Sequence, residues 1–148
     1  MVGDTIEREL AGHFPNEVIR ASAGTGKTFA LSNRYLKLLA SGVECQSILA
    51  TTFTRKGAGE ILDRIIGRLY DAALDESAAA QLSKELDWVI SQARARDILH
   101  ELLGNLHRLE ISTLDSFFNR IAKAFSPELR LPPNWEIVEE QEINRMKD

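Results

Sequence analysis

Residues 21–28 of the chain read Ala21-Ser22-Ala23-Gly24-Thr25-Gly26-Lys27-Thr28, and this segment is the strongest indication of the fold class. It follows a short apolar run at residues 18–21, which predicts a buried strand, and it precedes a helical pattern that begins at Lys27. A glycine-rich turn between a strand and a helix is the setting of a phosphate-binding loop, because glycines let the backbone turn sharply and its N–H groups then face the anion. The loop begins with Ala21, where the usual pattern has glycine.

The residue types of this loop predict an ATP site with Mg²⁺ as its metal ion. Lys27 is the candidate catalytic residue, since its ammonium group is placed to reach the β- and γ-phosphates. The Thr28 hydroxyl is expected to join the Mg²⁺ shell. The expected nucleotide contacts are Ala21, Ser22, Ala23, Gly24, Thr25, Gly26, Lys27 and Thr28. The competing interpretation is an ordinary glycine-rich turn before a helix.

Strand and helix patterns alternate along the rest of the chain. The predicted strands are residues 18–21, 46–53 and 107–112. The predicted helices are residues 5–10, 27–40, 57–70, 77–103 and one that Thr113 or Asp115 caps and that runs to Phe125. The 77–103 helix has Leu82, Leu86, Val89, Ile90 and Ala93 on one side, and the tail after Trp135 reads as a short strand and a polar helix. This alternation predicts a parallel sheet with helices packed on it and right-handed crossovers.

A second segment whose residue types suit ligand binding lies at the end of the predicted strand at residues 46–53. Thr51-Thr52-Phe53-Thr54-Arg55-Lys56-Gly57-Ala58-Gly59-Glu60 runs from the strand end into a helix, at the edge of a parallel sheet where ligands bind. An aromatic ring with hydroxyls and two cations suits single-stranded nucleic acid, because the ring stacks on a base and the cations meet phosphates. The alternative is that Phe53 is a core residue and that Arg55 and Lys56 are a solvated helix start.

A third segment, residues 111–120, also follows a predicted strand and opens a helix. Thr113, Asp115 and Ser116 are residue types that cap helices and that also contact phosphate oxygens. The alternative is simple capping, with Phe117 and Phe118 in the core.

Composition excludes several classes of protein. The 148 residues include 18 Lys and Arg against 22 Asp and Glu, a net charge of −4, so any nucleic-acid contact has to be local. Cys45 is the single cysteine, which excludes a disulfide framework and a cysteine-based zinc site. No apolar run is long enough to span a membrane, and the acidic start is unlike a signal peptide. A cytoplasmic protein is therefore expected.

Together the three segments resemble the superfamily 1 DNA helicases of the UvrD/Rep type, and within them the RecB and AddA helicase-nuclease subunits. ASAGTGKT is similar to the first motif of that family, TTFTRKGAGEILDRI to the next, and ISTLDSFFNRI to the one after. The resemblance covers residues 17–145 and implies an α/β fold, a P-loop NTPase (RecA-like) parallel-sheet core that is incomplete and carries additional helices. It also implies that residues 1–148 are the N-terminal part of the ATP-binding domain, with 136–148 starting a further helical subdomain.

The same resemblance implies an ATP-dependent DNA helicase of the helicase-nuclease type, active in DNA repair. Lys27 and Thr28 would then serve ATP and Mg²⁺. The residues that would lie along single-stranded DNA are Thr52, Phe53, Thr54, Arg55, Thr113, Asp115, Ser116 and Phe117. The implied partners are the remainder of the helicase or a partner nuclease subunit.

Two departures from the family pattern concern the nucleotide. The glutamine with which many relatives read adenine is not evident, since Asn16-Glu17 occupies that region. An acidic pair after a buried strand is also missing. Asp75-Glu76 stands in helical, solvated sequence, and Glu139-Glu140 leads into a polar helix. Because the second motor lobe is absent too, the isolated chain is expected to be inactive.

Two other functions stay open at the level of sequence. A small P-loop kinase explains the nucleotide loop but leaves the second and third segments without a role. It would also need a mobile lid, for which only Arg94 and Arg96 are candidates, and both stand in helical sequence. The other alternative is a module that holds nucleotide or DNA without turnover.

Overall fold

The computed structural model describes residues 14–19, 26–132 and Trp135. Its elements are α1 (Lys27–Ala40), β1 (Leu49–Thr52), α2 (Arg55–Leu74), α3 (Glu76–Leu86), α4 (Gln92–Gly104), β2 (Glu110–Thr113) and α5 (Leu114–Ala124). Short 3-10 helices, Cys45–Ser47 and Leu106–Arg108, precede the two strands. Several predictions fall outside the described residues: the 5–10 helix, residues 20–25 and the tail at 136–148, which includes Glu139-Glu140.

The two strands form a parallel pair, as the alternation of elements predicts. Leu49 pairs with Glu110, and the register runs to Thr52 beside Thr113. Both strands are shorter than expected, because the 3-10 helices take up the first residues of each apolar run. The ladder also ends at Thr52, so Phe53 lies beyond it.

The prediction of a buried strand at residues 18–21 is wrong for the two of its residues that are described. Val18 and Ile19 belong to no strand, and their side chains are 86% and 43% exposed. A strand needs a neighbouring edge to accept its hydrogen bonds. The ladder of the described sheet pairs β1 with β2 and does not extend to this segment.

Helices α1 and α2 confirm the periodic pattern. Helix α1 has the predicted bounds, and Gly42 follows it in the left-handed region at φ 96°. The Gly42 N–H donates to the Leu39 carbonyl at 3.1 Å and the Val43 N–H to the Leu38 carbonyl at 3.1 Å, which closes the helix end. Helix α2 is longer than expected at both ends, with the predicted apolar residues Ile61, Ile65 and Leu69 buried.

The prediction of a single helix over residues 77–103 is wrong, because the first helix ends before Asp87. That residue has left-handed backbone geometry at φ 49°, and the Ile90 N–H then donates to Ser83 Oγ at 2.9 Å. Ser91 caps the new helix by accepting from the Arg94 N–H at 3.1 Å. The turn exposes two residues that were expected on the apolar side, Val89 and Ala93.

Helix α2 is the centre of the packing. It contacts α1, α3, α4 and both strands. Its fully buried side chains, Ile65 and Leu69, meet Leu36 of α1 and Leu102 of α4 in one apolar cluster. Helix α5 contributes no buried residue. Over residues 14–19, 26–132 and 135, no helix is long and apolar enough to cross a membrane.

Candidate nucleotide and nucleic-acid site

The described end of the predicted phosphate-binding loop is its junction with helix α1. Gly26 has φ 91°, a left-handed conformation that favours glycine, and it is the residue before the first helical turn. Lys27 is exposed and Thr28 is half-buried in that turn. The Gly26 carbonyl accepts from the Ala30 N–H at 2.9 Å, which starts the helical ladder. The N-terminal end of a 14-residue helix thus carries the lysine and the threonine, an arrangement that attracts an anion.

The second and third segments meet at the carboxyl ends of the two strands. Thr52 and Thr113 are register partners, and each strand passes almost directly into a helix. Thr54 Oγ1 accepts from the Gly57 N–H at 3.0 Å and so caps α2. Thr113 Oγ1 accepts from the Ser116 N–H at 3.1 Å and so caps α5. We call the residues 52–55 and 113–117 the polar edge.

Exposure differs strongly among the members of the polar edge. Phe53 is 87% exposed, so it is not a core residue. Thr54, Arg55 and Asp115 are exposed, Thr52, Ser116 and Phe117 are half-buried, and Thr113 is buried. The Phe117 ring meets Phe118 edge-on, with centroids 5.7 Å apart, and Phe118 is 58% exposed. The alternative that placed these two rings in the core is therefore wrong for Phe118, whereas Phe117 is half-buried.

The cations next to the polar edge are in part paired with carboxylates. Arg55 is exposed, whereas Lys56 Nζ lies 3.9 Å from Glu60 Oε1 on the same helix. Arg120 forms an ion pair with Glu110 and donates to Ser112 Oγ at 3.4 Å. Exposed pairs of this kind contribute little to stability, so a phosphate competes for these cations at small cost.

Gly57 also belongs to this site, although the sequence pattern did not single it out. A Cβ built on Gly57 would lie 2.8 Å from Thr52 Oγ1 and 3.0 Å from Thr54 Oγ1. Glycine therefore lets helix α2 begin in direct contact with the two threonine hydroxyls. The signal in the sequence was the small-residue run Gly57-Ala58-Gly59 directly after a threonine-rich strand end.

The two glycines of α2 provide a matched pair for a test of this contact. Gly59→Ala is expected to stabilise the chain by about 0.5–1 kcal/mol, because alanine has the higher helix propensity and nothing lies within 4 Å of the new methyl group. Gly57→Ala is expected to lose this gain, because its methyl group displaces a threonine hydroxyl. Urea denaturation of both variants measures the difference. An equal gain at the two positions would contradict the close contact at Gly57.

Helix α1 is joined to the polar edge through α2. It packs against α2, α3 and α4, while the strands pack against α2 and α5. Because Val18 and Ile19 form no strand, the described sheet does not extend to the segment before Lys27. Helix α2 contacts both α1 and the two strands that end at the polar edge.

The acidic pair Asp75-Glu76 has a structural explanation. Asp75 lies between α2 and α3, where it caps α3 by accepting from the Ser77 N–H at 3.0 Å, and Glu76 is the first residue of α3. The Ser77 hydroxyl donates to the same carboxylate at 2.6 Å. These hydrogen bonds lower the pKa of Asp75, since they favour its charged form. No group of three or more His, Cys, Asp and Glu residues suited to a metal ion occurs in the described part of the chain.

Comparison with known proteins gives consistent matches. A family model described as the UvrD/REP helicase N-terminal domain matches residues 7–147. The chain is 31% identical over 129 residues to an ATP-dependent helicase/nuclease subunit from Streptococcus suis (strain 98HAH33), covering 87% of this chain and 9% of that protein.

Two lactococcal relatives match in the same way. The chain is 29% identical over 129 residues to an ATP-dependent helicase/nuclease subunit from Lactococcus lactis subsp. lactis (strain IL1403), covering 85% of this chain and 9% of that protein. The figures are the same for the exonuclease/helicase subunit RexA of Lactococcus lactis subsp. cremoris (strain MG1363). The chain thus spans about a tenth of the length of these relatives. No solved structure matches the chain.

Proposed function

Because the chain belongs to the UvrD/REP helicase family through its N-terminal domain, we propose that it is the ATP-binding and single-stranded-DNA-contacting N-terminal part of an ATP-dependent DNA helicase. The relatives named as helicase/nuclease subunits favour the helicase-nuclease type and a role in DNA repair. The proposed fold is the RecA-like P-loop core. Residues 1–148 are assigned to its ATP-binding domain, and residues 136–148 to the start of a helical subdomain.

The observation that carries the DNA part of the proposal is the pairing of Thr52 with Thr113. It places the second and third sequence segments side by side, although they are far apart in the chain. Hydroxyls, two helix starts and an exposed phenylalanine then lie along one edge. A strand of DNA offers phosphates and bases in the same alternation, and base stacking on an aromatic ring needs no particular base. The proposed track is Thr52, Phe53, Thr54, Arg55, Thr113, Asp115, Ser116 and Phe117.

The ATP part of the proposal rests on the junction of the loop with α1. Lys27 and Thr28 are the first two residues of α1, directly after Gly26, which has left-handed backbone geometry. A P-loop lysine and a Mg²⁺-binding hydroxyl are needed at these positions. Mg²⁺ would neutralise charge on the phosphates, and Thr28 supplies an oxygen of the type this ion prefers. The proposed nucleotide contacts continue through Ala21, Ser22, Ala23, Gly24, Thr25 and Gly26.

Turnover by these 148 residues alone is proposed to be negligible. In the acidic pair Asp75-Glu76, Asp75 accepts hydrogen bonds from Ser77 and caps α3. Hydrolysis needs groups that hold Mg²⁺ and orient water, and we assign these to the remainder of the helicase. A partner nuclease subunit is a further proposed contact.

Binding of labelled oligonucleotides tests the proposal. We expect the chain to bind single-stranded oligodeoxythymidylate more tightly than a duplex of equal length, by about fivefold or more, since one stacked base is worth about 1–3 kcal/mol. Fluorescence anisotropy measures both affinities, and calorimetry with MgATP measures the nucleotide. Tighter binding to duplex would contradict the DNA track, and an absence of heat with MgATP would contradict the nucleotide site.

A further inference from the structure

A polar cluster joins the helices α1, α2 and α3. Arg68 of α2 donates to the side-chain oxygen of Asn33 on α1. It also donates to Glu85 Oε2 of α3 at 2.5 Å. The guanidinium carbon lies 4.9 Å from the ring centre of Phe29, which is the residue after Thr28. We call Arg68, Asn33, Glu85 and Phe29 the Arg68 cluster.

The cluster is sheltered from solvent. The side chain of Arg68 is 17% exposed and that of Glu85 is 29% exposed. Burial lowers the pKa of Arg68, and the neighbouring Glu85 carboxylate opposes that shift. Gln81 donates to the other oxygen of Glu85 at 2.9 Å and so holds the carboxylate in place. A guanidinium with fixed partners on two other helices is a rigid tie between them.

A cavity borders the Arg68 cluster. It has a volume of about 230 Å³ and is lined by Phe29, Arg68, Asp71, Gln81 and Glu85 among others. Asp71 follows Arg68 by three residues on the same helix, so a second carboxylate lines the same space. Arg68 thus pairs with Glu85 in the structure, beside a cavity that the Asp71 side chain also lines.

Along the two helices, the Arg68 cluster lies between the start of α1 and the start of α2. Helix α1 begins at Lys27, fewer than two turns before Asn33. Helix α2 begins at the polar edge, and Arg68 stands about 20 Å along it at 1.5 Å per residue. The Arg68 cluster therefore joins a helix that begins at Lys27 to a helix that begins two residues after Phe53.

From this arrangement we infer that Arg68 is a positioning residue that couples nucleotide binding at the start of α1 to DNA binding at the start of α2. The inference rests on the proposed function, since it assumes both ligands. Coupling requires contact between the elements that carry the two sites, and the Arg68–Asn33 hydrogen bond is such a contact between α2 and α1. By reciprocity the DNA then alters ATP affinity by the same factor as ATP alters DNA affinity.

The test measures MgATP affinity by calorimetry with and without saturating single-stranded oligodeoxythymidylate. For the unmodified chain we expect the oligonucleotide to raise the affinity about fivefold or more, the lower end of usual allosteric coupling. Asn33→Ala removes the tie to α1 but keeps the Arg68–Glu85 pair, and its coupling factor is expected to fall towards one. Asn33→Asp keeps an oxygen acceptor for Arg68 and is expected to retain the coupling. Arg68→Gln is expected to behave like Asn33→Ala.

Arg64→Gln is the matched control, because Arg64 is an exposed arginine one turn earlier on α2. It is expected to leave the coupling factor unchanged. If Arg68→Gln fails to fold in thermal melting, the two Asn33 variants still decide the result. Coupling that persists in Asn33→Ala, or that is absent from the unmodified chain although both ligands bind, overturns the inference and leaves the proposed function intact. If the unmodified chain binds neither ligand, the proposed function itself fails.

Discussion

Replacing Lys27 with alanine is expected to weaken MgATP binding about tenfold to a hundredfold. The substitution removes a cation from the first turn of α1 while the left-handed Gly26 and the helix itself remain. Charge-assisted contacts of this kind contribute about 1.5–3 kcal/mol, which sets the size of the effect. Calorimetry with MgATP on the two proteins measures it.

Lys37→Ala is the matched control for this variant. Lys37 stands in the last turn of the same helix, where it approaches the rings of Phe14 and Trp88. Its removal is expected to leave nucleotide affinity unchanged, because it lies at the end of α1 opposite to Gly26. Equal heats for Lys27→Ala and the unmodified chain would contradict the assignment of Lys27. Thermal melting of each variant shows whether a loss of binding reflects a loss of fold.

Phe53→Ala is expected to weaken binding of single-stranded DNA by about 1–3 kcal/mol, the value of one base stacked on an aromatic ring. The melting temperature is expected to stay unchanged, because a ring that is 87% exposed contributes little to the core. Fluorescence anisotropy and thermal melting on the same samples separate the two effects. Phe53→Trp keeps a stacking surface and is expected to bind at least as well as the unmodified chain.

Phe125→Ala is the control for exposure alone. Phe125 is 54% exposed at the far end of α5, away from the polar edge. Its removal is expected to leave DNA binding unchanged.

A large fall in melting temperature for Phe53→Ala would show that the Phe53 ring packs against the protein in solution. Unchanged DNA binding would remove Phe53 from the proposed track.

The helices next to the two motifs could be predicted because their signals are local. Leu31, Tyr35 and Leu39 recur at helical spacing, and Gly42 marks the end, so both bounds of α1 follow from the sequence. The break at Asp87 could not be predicted in this way. Nothing about Asp87 in the sequence marks the end of a helix. The turn is held by the hydrogen bond from the Ile90 N–H to the Ser83 hydroxyl, which the apolar pattern does not indicate.

The polar edge could be predicted only in part. Residues 51–53 suit both a buried strand and an exposed strand end, because the decision depends on where the ladder with β2 stops. The pattern of small residues did not show that Gly57 touches two threonine hydroxyls. The Arg68 cluster was also missed, since Asn33, Arg68 and Glu85 are far apart in sequence and each resembles a solvated surface residue.

The register between the two strands also bears on the order in which parts of this fold form. Each residue of β1 pairs with one that is 61 positions later, as Leu49 does with Glu110. Four pairs cannot offset the entropy of closing so long a loop, whereas the contacts of α2 with α3 and α4 are closer in sequence. We therefore expect the helices between the strands to pack before the strands meet. The polar edge is then expected to be the latest part of this fold to form.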